Sequence, residues 1–277
     1  MYFLPILILF PILLNLNFIL GADWKYPDST WGSHYPVCKN GKKQSPIDIR
    51  RVSTVCVPKL SVVNYIRKGD VEVKNNGHGV EVEGFENWRS RPYIEHGGLN
   101  RKYFLAQFHF HWAKDLYGSE HKLNGYQYAA EVHFVHVREG LSFEQAKNTP
   151  NGLAVLAVFM VFGRNDYAMK NLERALLKVV NEGSKETIKD FQIVFGFGIP
   201  TKVDSFLRYE GSLTTPGCNE VVQWFILPNS RFDIGRVQLG LLRSIKGSAM
   251  PQGNNVRSIQ QLNGRTVINR SLQNCNL

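Results

Sequence analysis

Two histidines separated by a single residue, His109 and His111, lie in the segment 107–112, which reads Gln-Phe-His-Phe-His-Trp. Alternate side chains of a β-strand point to the same side, so both imidazoles are expected on one face. The segment 131–136 supplies a third candidate, His133, which would join the other two if the two strands are neighbours. Three neutral imidazoles that leave a fourth position to water are typical of a catalytic zinc site.

Paired histidines alone are weak support for a metal, because a strand can also carry them on a water-exposed face. Two polar side chains strengthen the interpretation, since Gln107 and Glu131 share the faces of the candidate ligands. Each can accept the second ring N–H of a ligating histidine and so fix its tautomer. His136 has the opposite parity from His133 and is predicted to be structural. The helical His-Glu-x-x-His sequence of zinc metalloproteases does not occur in the chain.

A series of segments resembles one family in order and spacing. The segments are 44–49, 75–78, 107–112, 118–121, 128–133, 211–216 and 262–265. They are similar to the alpha-class carbonic anhydrases of the secreted type, from about Trp24 to Ile268. The whole series is far more specific than any one segment. The resemblance implies a zinc lyase that reversibly hydrates carbon dioxide to bicarbonate and a proton.

The resemblance assigns the chemistry to particular residues. It implies that His109, His111 and His133 bind Zn²⁺, and that hydroxide formed on the metal attacks carbon dioxide. Thr214 would accept a hydrogen bond from this hydroxide and pass its own proton to Glu120. Without the family context, Thr214 would be taken for an ordinary turn residue.

Further roles follow from the same resemblance. His78 would carry protons from the metal site to buffer, because a half-exposed imidazole titrates near neutral pH. The residues implied to form an apolar wall for carbon dioxide are Val135, Val155, Leu213, Val222 and Trp224, with Thr214 and Thr215 also at the substrate. Tyr26 and Asn76 would line a polar proton path together with Thr215. Asn255 would support His111 through its backbone carbonyl.

Short runs that alternate apolar and polar residues, or are rich in aromatic and β-branched types, predict the strands that position these side chains. The predicted strands are 71–74, 80–83, 104–112, 126–137 and 153–162, and the predicted helices are 142–147, 167–180 and 237–243. The residues 75–78 between the first two strands predict a hairpin turn. The expected fold is α+β and mainly β, a single domain over 23–277 with a large, mostly antiparallel, twisted central sheet and short peripheral helices.

The composition is that of a globular protein with a basic surface. The 277 residues are 43% hydrophobic and 20% charged, with a formal net charge of +10. Lysines and arginines are scattered among acidic residues, which favours a solvated basic face over nucleic-acid binding. Carbon dioxide and bicarbonate are the expected partners, with no nucleic acid and no obligate protein partner. Two alternatives stay open: a catalytically silent binding module, and a matrix- or mineral-associated protein whose basic charge matters as much as catalysis.

The segment 1–22 is apolar, carries no charge and ends in the small residues Gly21 and Ala22. This pattern predicts a secretory signal peptide and therefore a secreted, extracellular protein. The run lacks a positively charged start and is long enough to approach a membrane-spanning helix. An uncleaved anchor is the alternative, and only in that case would the protein contact a membrane.

Four cysteines in an exported chain suggest two disulfides, for which three connectivities exist. The resemblance implies a bridge between Cys38 and Cys218. Cys56 and Cys275 have no counterpart in the family and could pair with each other, stay free or link two chains.

Two more positions carry expectations of their own. The sequon at Asn269 is a candidate glycosylation site on a surface loop. Gly217 follows Pro216 where many relatives have a second proline. Because glycine is less restrained in φ, the loop that carries Thr214 is expected to be looser, with no catalytic group lost.

Overall fold

A computed structural model describes residues 24–165, 167–193, 197 and 199–270. The strands are β1 (Asp48–Ile49), β2 (Ser53–Thr54), β3 (Leu60–Val63), β4 (Lys68–Asn75), β5 (Val80–Glu83), β6 (Tyr93–His96), β7 (Tyr103–Trp112), β8 (Lys122–Leu123), β9 (Tyr126–Gln127), β10 (Ala130–Arg138), β11 (Leu153–Phe162), β12 (Lys185–Gln192), β13 (Lys202–Val203), β14 (Phe206–Gly211), β15 (Val222–Ile234) and β16 (Ile268–Arg270). The helices are α1 (Trp31–His34), α2 (Pro36–Asn40), α3 (Phe143–Ala146), α4 (Tyr167–Lys178) and α5 (Arg236–Arg243), with 3₁₀ turns at Asp28–Thr30 and Phe85–Asn87.

One large sheet dominates the protein. Its strands follow the order β12-β4-β5-β7-β10-β11-β15-β14-β16-β2, and β6 joins the short pair β3–β13 to β7. Among the described residues, β11–β15 and β16–β2 are the parallel pairs of this sheet, and the other pairs are antiparallel. The prediction of a mainly β, mostly antiparallel single domain with few short helices is confirmed.

The central strands β7 and β10 are antiparallel neighbours in a register that places His109 opposite His133 and Glu131 opposite His111. On the other face of β7, Phe108, Phe110 and Trp112 are fully buried. Since a strand alternates its side chains, burying this aromatic row turns both histidines to the opposite face.

The hydrophobic core lies on both faces of the sheet. The larger cluster contains Phe108, Phe110 and Phe134, and the smaller cluster contains Val135 and Trp224. Adjacent residues of β10 therefore pack into different clusters, which explains why the whole strand from 130 to 137 is buried. In the described ranges of the chain, no helix is long and apolar enough to cross a membrane.

Most predicted elements are present, with one difference in the segment 126–137. The predicted hairpin is formed by β4 and β5, and the predicted helix at 167–180 is α4. The single strand predicted over 126–137 is divided into β9 and β10. The hydroxyl of Ser119 accepts a hydrogen bond from the Tyr128 N–H, and the Ser119 N–H donates to the Tyr128 carbonyl. Both backbone groups of Tyr128 are therefore bound by Ser119, and the strand is interrupted at Tyr128.

The N-terminal helices are joined to the loop after β14 by a disulfide between Cys38 and Cys218. This is the bridge that the resemblance implied. Cys56 is also disulfide-bonded, whereas Cys275 and the predicted signal peptide lie outside the described residues. The expectation of a surface loop at Asn269 was wrong, because this half-buried residue pairs with Leu207 in β14 and with Thr54 in β2.

Candidate metal centre and cavity

Three imidazoles meet where β7 and β10 run side by side. The ring centroids of His109 and His111 are 4.9 Å apart, those of His109 and His133 are 5.3 Å apart, and those of His111 and His133 are 4.4 Å apart. One nitrogen from each ring lies within 4.8 Å of the other two, a spacing that allows all three to bind one metal ion.

Hydrogen bonds fix the orientation of His109 and His111. Gln107 Oε1 lies 2.8 Å from His109 Nδ1, and the Asn255 carbonyl lies 2.7 Å from His111 Nδ1. Both acceptors require a proton on Nδ1, which leaves the lone pair on Nε2. The Nε2 atom of His111 is buried and has no hydrogen-bond partner in the described part of the chain. A buried nitrogen with a free lone pair fits a metal ligand.

Glu131 fixes the third imidazole in the same way. Its Oε1 lies 2.7 Å from His133 Nε2 and 2.7 Å from His121 Nδ1, and its Oε2 accepts the backbone N–H of His121 at 2.8 Å. A carboxylate only accepts hydrogen bonds, so His133 donates from Nε2 and keeps its Nδ1 lone pair. His121, Glu131 and His133 are also close enough to hold a metal ion as a second group. Their contacts are already satisfied by one another, so this group is better explained as support for His133.

The electrostatics of the site keep the rings able to bind a metal. Burial, together with neighbouring imidazoles, lowers the pKa of His133 to about 3 and lowers that of His109 well below its ordinary value. Burial would raise the pKa of Glu131, but His121 and His133 outweigh burial and lower it well below its ordinary value. At neutral pH the two imidazoles are therefore uncharged beside an ionised carboxylate, which is the protonation state that metal binding needs.

Thr214 and Glu120 lie next to the three histidines. Glu120 Oε1 accepts the Arg257 backbone N–H at 2.9 Å and lies 3.5 Å from His111 Nδ1. Burial raises the pKa of Glu120, and His111, the Thr214 side chain and the Arg257 N–H oppose this rise. Glu120 Oε2 has no partner at full hydrogen-bond geometry among the described residues, and Thr214 is the hydroxyl near enough to affect this carboxyl group.

The histidines line a cavity of about 410 Å³ that has both apolar and polar lining residues. The apolar lining residues include Val135, Val155, Leu213 and Trp224, and the polar ones include Tyr26, Asn76, His78, Thr214 and Thr215. Val222, which was expected on the apolar wall, is buried in β15 and is not among the lining residues. A cavity that combines apolar and polar groups beside a candidate metal site suits a small apolar substrate that becomes charged.

Comparison with known proteins decides the family. The sequence model of the eukaryotic-type carbonic anhydrases matches residues 27–271. The chain belongs to this family. It is 38% identical over 260 residues to the "Putative carbonic anhydrase 5" of Caenorhabditis elegans, which covers 89% of this chain and 82% of the relative. It is 35% identical to carbonic anhydrase 6 of Mus musculus over 89% of this chain and 80% of the relative, and 31% identical to carbonic anhydrase 6 of Homo sapiens over 92% and 88%.

Membership makes the protein a carbonic anhydrase, an enzyme that acts on carbon dioxide and bicarbonate. In this carbonic anhydrase, His78 lines the cavity at the turn between β4 and β5. Its ring is stacked on Trp24, with centroids 4.0 Å apart and planes within 2° of parallel. The backbone N–H of His78 donates to Asn76 Oδ1 at 3.0 Å. The turn and the indole together hold the imidazole at the edge of the cavity.

The structure adds lining residues that the sequence analysis had not singled out, among them Trp24, Glu81, Phe143 and Lys147. Glu81 lies opposite His109 in the ladder, and its Oε1 is 3.1 Å from Lys74 Nζ. Strand alternation in β5 could have placed Glu81 on this face. No sequence signal indicated Lys147, because the loop after α3 is brought to the cavity only by tertiary contacts.

Proposed function

We propose that this carbonic anhydrase hydrates carbon dioxide reversibly with a zinc ion held by His109, His111 and His133. The observation that carries the proposal is the convergence of one nitrogen from each ring within 4.8 Å, while the other nitrogens are engaged by Gln107, Asn255 and Glu131. Three nitrogen donors suit zinc, and they leave a position for reactants. When bound, zinc makes a water molecule acidic enough to serve as a nucleophile near neutral pH.

Thr214 and Glu120 orient the nucleophilic water. The Thr214 hydroxyl would accept a hydrogen bond from an O–H of this water and donate its own O–H to a Glu120 carboxylate oxygen. Glu120 can only accept while it is ionised, and the Arg257 N–H at 2.9 Å helps keep it so. These hydrogen bonds would direct a lone pair of the water away from Thr214.

Carbon dioxide occupies the apolar side, beside Val135, Val155, Leu213 and Trp224. The molecule has no net dipole, so side chains without polar atoms hold it without competing for the nucleophile. Val222 is buried in the same apolar cluster as Val135, Val155 and Trp224, and we expect it to support these side chains instead of contacting the substrate.

One proton leaves the site for each bicarbonate formed. His78 receives it, because its half-buried ring lies at the cavity edge and an imidazole exchanges protons near neutral pH. Tyr26, Asn76 and Thr215 line the same cavity as the three histidines and this ring, and supply polar groups for a proton path. Burial raises the pKa of Tyr26 well above its ordinary value, so its hydroxyl stays protonated and guides water without taking up charge.

The proposed location is outside the cell, after removal of residues 1–22. The disulfide between Cys38 and Cys218 supports this proposal, because such bridges persist in oxidising compartments. Glycosylation at Asn269 is also proposed. Because β16 pairs with β14 on one side and with β2 on the other, the glycan would be attached before these strands pair.

Stopped-flow carbon dioxide hydration by the purified mature chain tests the proposal, before and after chelation of the metal. Hydration that is lost with zinc and restored by adding zinc back is the expected result, with one zinc per chain by elemental analysis. Hydration that persists in metal-free protein would contradict a zinc mechanism. Bound zinc without hydration would instead indicate a binding protein.

A further inference from the structure

A buried network of side chains extends from the proposed zinc ligand His133 away from the cavity. Glu131 joins His133 to His121, and the Tyr209 hydroxyl lies 2.7 Å from His121 Nε2. The same hydroxyl lies 2.8 Å from Ser45 Oγ. Every member is almost completely buried, so each contact lacks competition from water.

Ser45 also holds the loop that carries Thr214. Its Oγ accepts the Ser212 N–H at 3.0 Å, and its own N–H donates to Ser212 Oγ at 2.9 Å. The Ser212 carbonyl accepts the Trp224 indole N–H at 3.1 Å, and the Ser212 hydroxyl donates to the Leu213 carbonyl at 2.8 Å. Ser212 is therefore fixed on all sides, two residues before Thr214.

A third contact of Ser45 leads to Glu120. The Ser45 carbonyl accepts Arg257 Nη1–H at 2.8 Å, and the Arg257 backbone N–H donates to Glu120 Oε1 at 2.9 Å. The guanidinium also binds the Cys38 carbonyl at 3.2 Å. Ser45 thus contacts three branches that lead separately to His133, to Thr214 and to Glu120.

We propose that Ser45 and Tyr209 are positioning residues that hold the Thr214–Glu120 pair in register with the zinc ligand His133. This inference rests on the proposed function, because it concerns where the nucleophile's hydrogen-bond partners lie relative to the metal. Neither residue touches the cavity. Their effect is transmitted by a continuous set of satisfied buried hydrogen bonds, in which the loss of one atom leaves its neighbours without partners.

Two variants and a matched control test the link. Ser45→Ala removes the hydroxyl shared by Tyr209 and Ser212, and Tyr209→Phe removes a single oxygen. The control is Tyr65→Phe, because the Tyr65 hydroxyl also contacts a buried histidine, His136, at 2.5 Å, but on the other face of the sheet. All three lose one buried hydroxyl, so a merely structural effect would be similar in each.

Zinc transfer to excess chelator and hydrogen exchange of the metal-free protein are the readouts. We expect Ser45→Ala and Tyr209→Phe to speed zinc loss by roughly 3- to 10-fold, below the 10- to 100-fold typical of direct outer contacts. Backbone amides of 212–214 should exchange faster in both. In the loaded enzyme kcat should fall while KM stays constant, and imidazole buffer should not restore it. Tyr65→Phe should lower the free energy of unfolding but leave the rate of zinc loss, the amide exchange of 212–214 and kcat unchanged.

The double variant sharpens the test. If the two residues act along one path, Ser45→Ala with Tyr209→Phe should lose zinc no faster than Ser45→Ala alone. If Ser45→Ala and Tyr209→Phe lose zinc, and exchange the amide hydrogens of 212–214, at the same rates as Tyr65→Phe, the inference is overturned. If Ser45→Ala fails to fold, Tyr209→Phe carries the test alone. A wild-type chain that binds no zinc would refute the proposed function. Hydrogen exchange of the amides of 212–214 in metal-free Tyr209→Phe would still show whether Tyr209 holds this loop in place.

Discussion

His109 and His133 are directly opposed across the antiparallel pair of β7 and β10, with ring centroids 5.3 Å apart. This register is set by the aromatic row on the far side of β7, because a slip by one residue would exchange the buried and cavity-facing sides of the strand. The three candidate metal ligands are therefore all carried by two paired strands of the sheet, whereas Leu213, Thr214 and Thr215 come from the loop after β14.

Replacing His133 with alanine should abolish stoichiometric zinc binding. Only two nitrogen ligands would remain. The expected loss of zinc affinity therefore exceeds the roughly 10- to 100-fold weakening that follows when a residue hydrogen-bonded to a ligand is removed. Elemental analysis after dialysis checks this, with His34→Ala as the control because His34 is exposed in α1. Retention of one zinc per chain by the His133 variant would rule out the three-histidine site.

Replacing His78 with alanine should slow turnover at low buffer concentration by roughly 100-fold, the lower limit for a positioned proton-transfer group. Zinc content should not change, since His78 is not one of the three proposed zinc ligands. Stopped-flow rates in increasing concentrations of small imidazole buffers provide the check, because these should restore turnover. Unchanged turnover at low buffer would mean that protons leave by another route.

Gly217→Ala should destabilise the turn after Thr214. Gly217 has φ +94°, where an L-residue costs about 1–2 kcal/mol. A β-carbon would also lie 2.9 Å from Asn219 Oδ1, and the Asn219 carbonyl accepts the Leu213 N–H. The expected result is a lower free energy of unfolding by about 1–2 kcal/mol together with reduced kcat.

Gly140→Ala is the matched control for this turn. Gly140 also has a positive φ, +85°, but a β-carbon there would meet nothing within 4 Å. Denaturant unfolding should show a similar loss of stability in both variants, whereas kcat should fall only in Gly217→Ala. Equal kcat in both would show that the turn does not position Thr214. A proline at 217 would have φ near −65° and could not adopt the φ of +94° that Gly217 has, so it would require a different turn.

Acid should destabilise the protein partly through His136. Burial lowers the pKa of this histidine to about 3, against 6.5 for an exposed imidazole. Between these pH values the unfolded chain binds a proton at this position that the folded chain does not, so the free energy of unfolding falls as the pH falls. His136 contributes up to about 1.4 kcal/mol per pH unit in this window.

Urea unfolding at several pH values, with zinc and without it, measures this dependence. His136→Gln should reduce the slope between pH 6 and 4 in both states by up to about 1.4 kcal/mol per unit, because His136 is not a proposed ligand. An unaltered slope in His136→Gln would show that this histidine is protonated in the folded state.

Local patterns predicted the elements that bear the histidines. Alternation in 107–112 placed His109 and His111 on one face, and parity in 131–136 separated His133 from His136, which contacts Tyr65 on the other side. These predictions succeed because the period of a strand is a local property of the backbone. Where a tertiary contact intervenes, as Ser119 does beside Tyr128, the predicted single strand is broken.

The family, the parity of the three histidines and the strands that carry them could all be predicted from the residues. The packed fold was needed to show which nitrogen of each ring is free, that Lys147 and Glu81 reach the cavity, and that Val222 is not among its lining residues. It also brought Ser45 to Tyr209 and Ser212, more than 160 positions along the chain. The reason is physical: strand alternation is encoded residue by residue, whereas a buried polar atom takes whichever partner the packed sheet brings within hydrogen-bond distance.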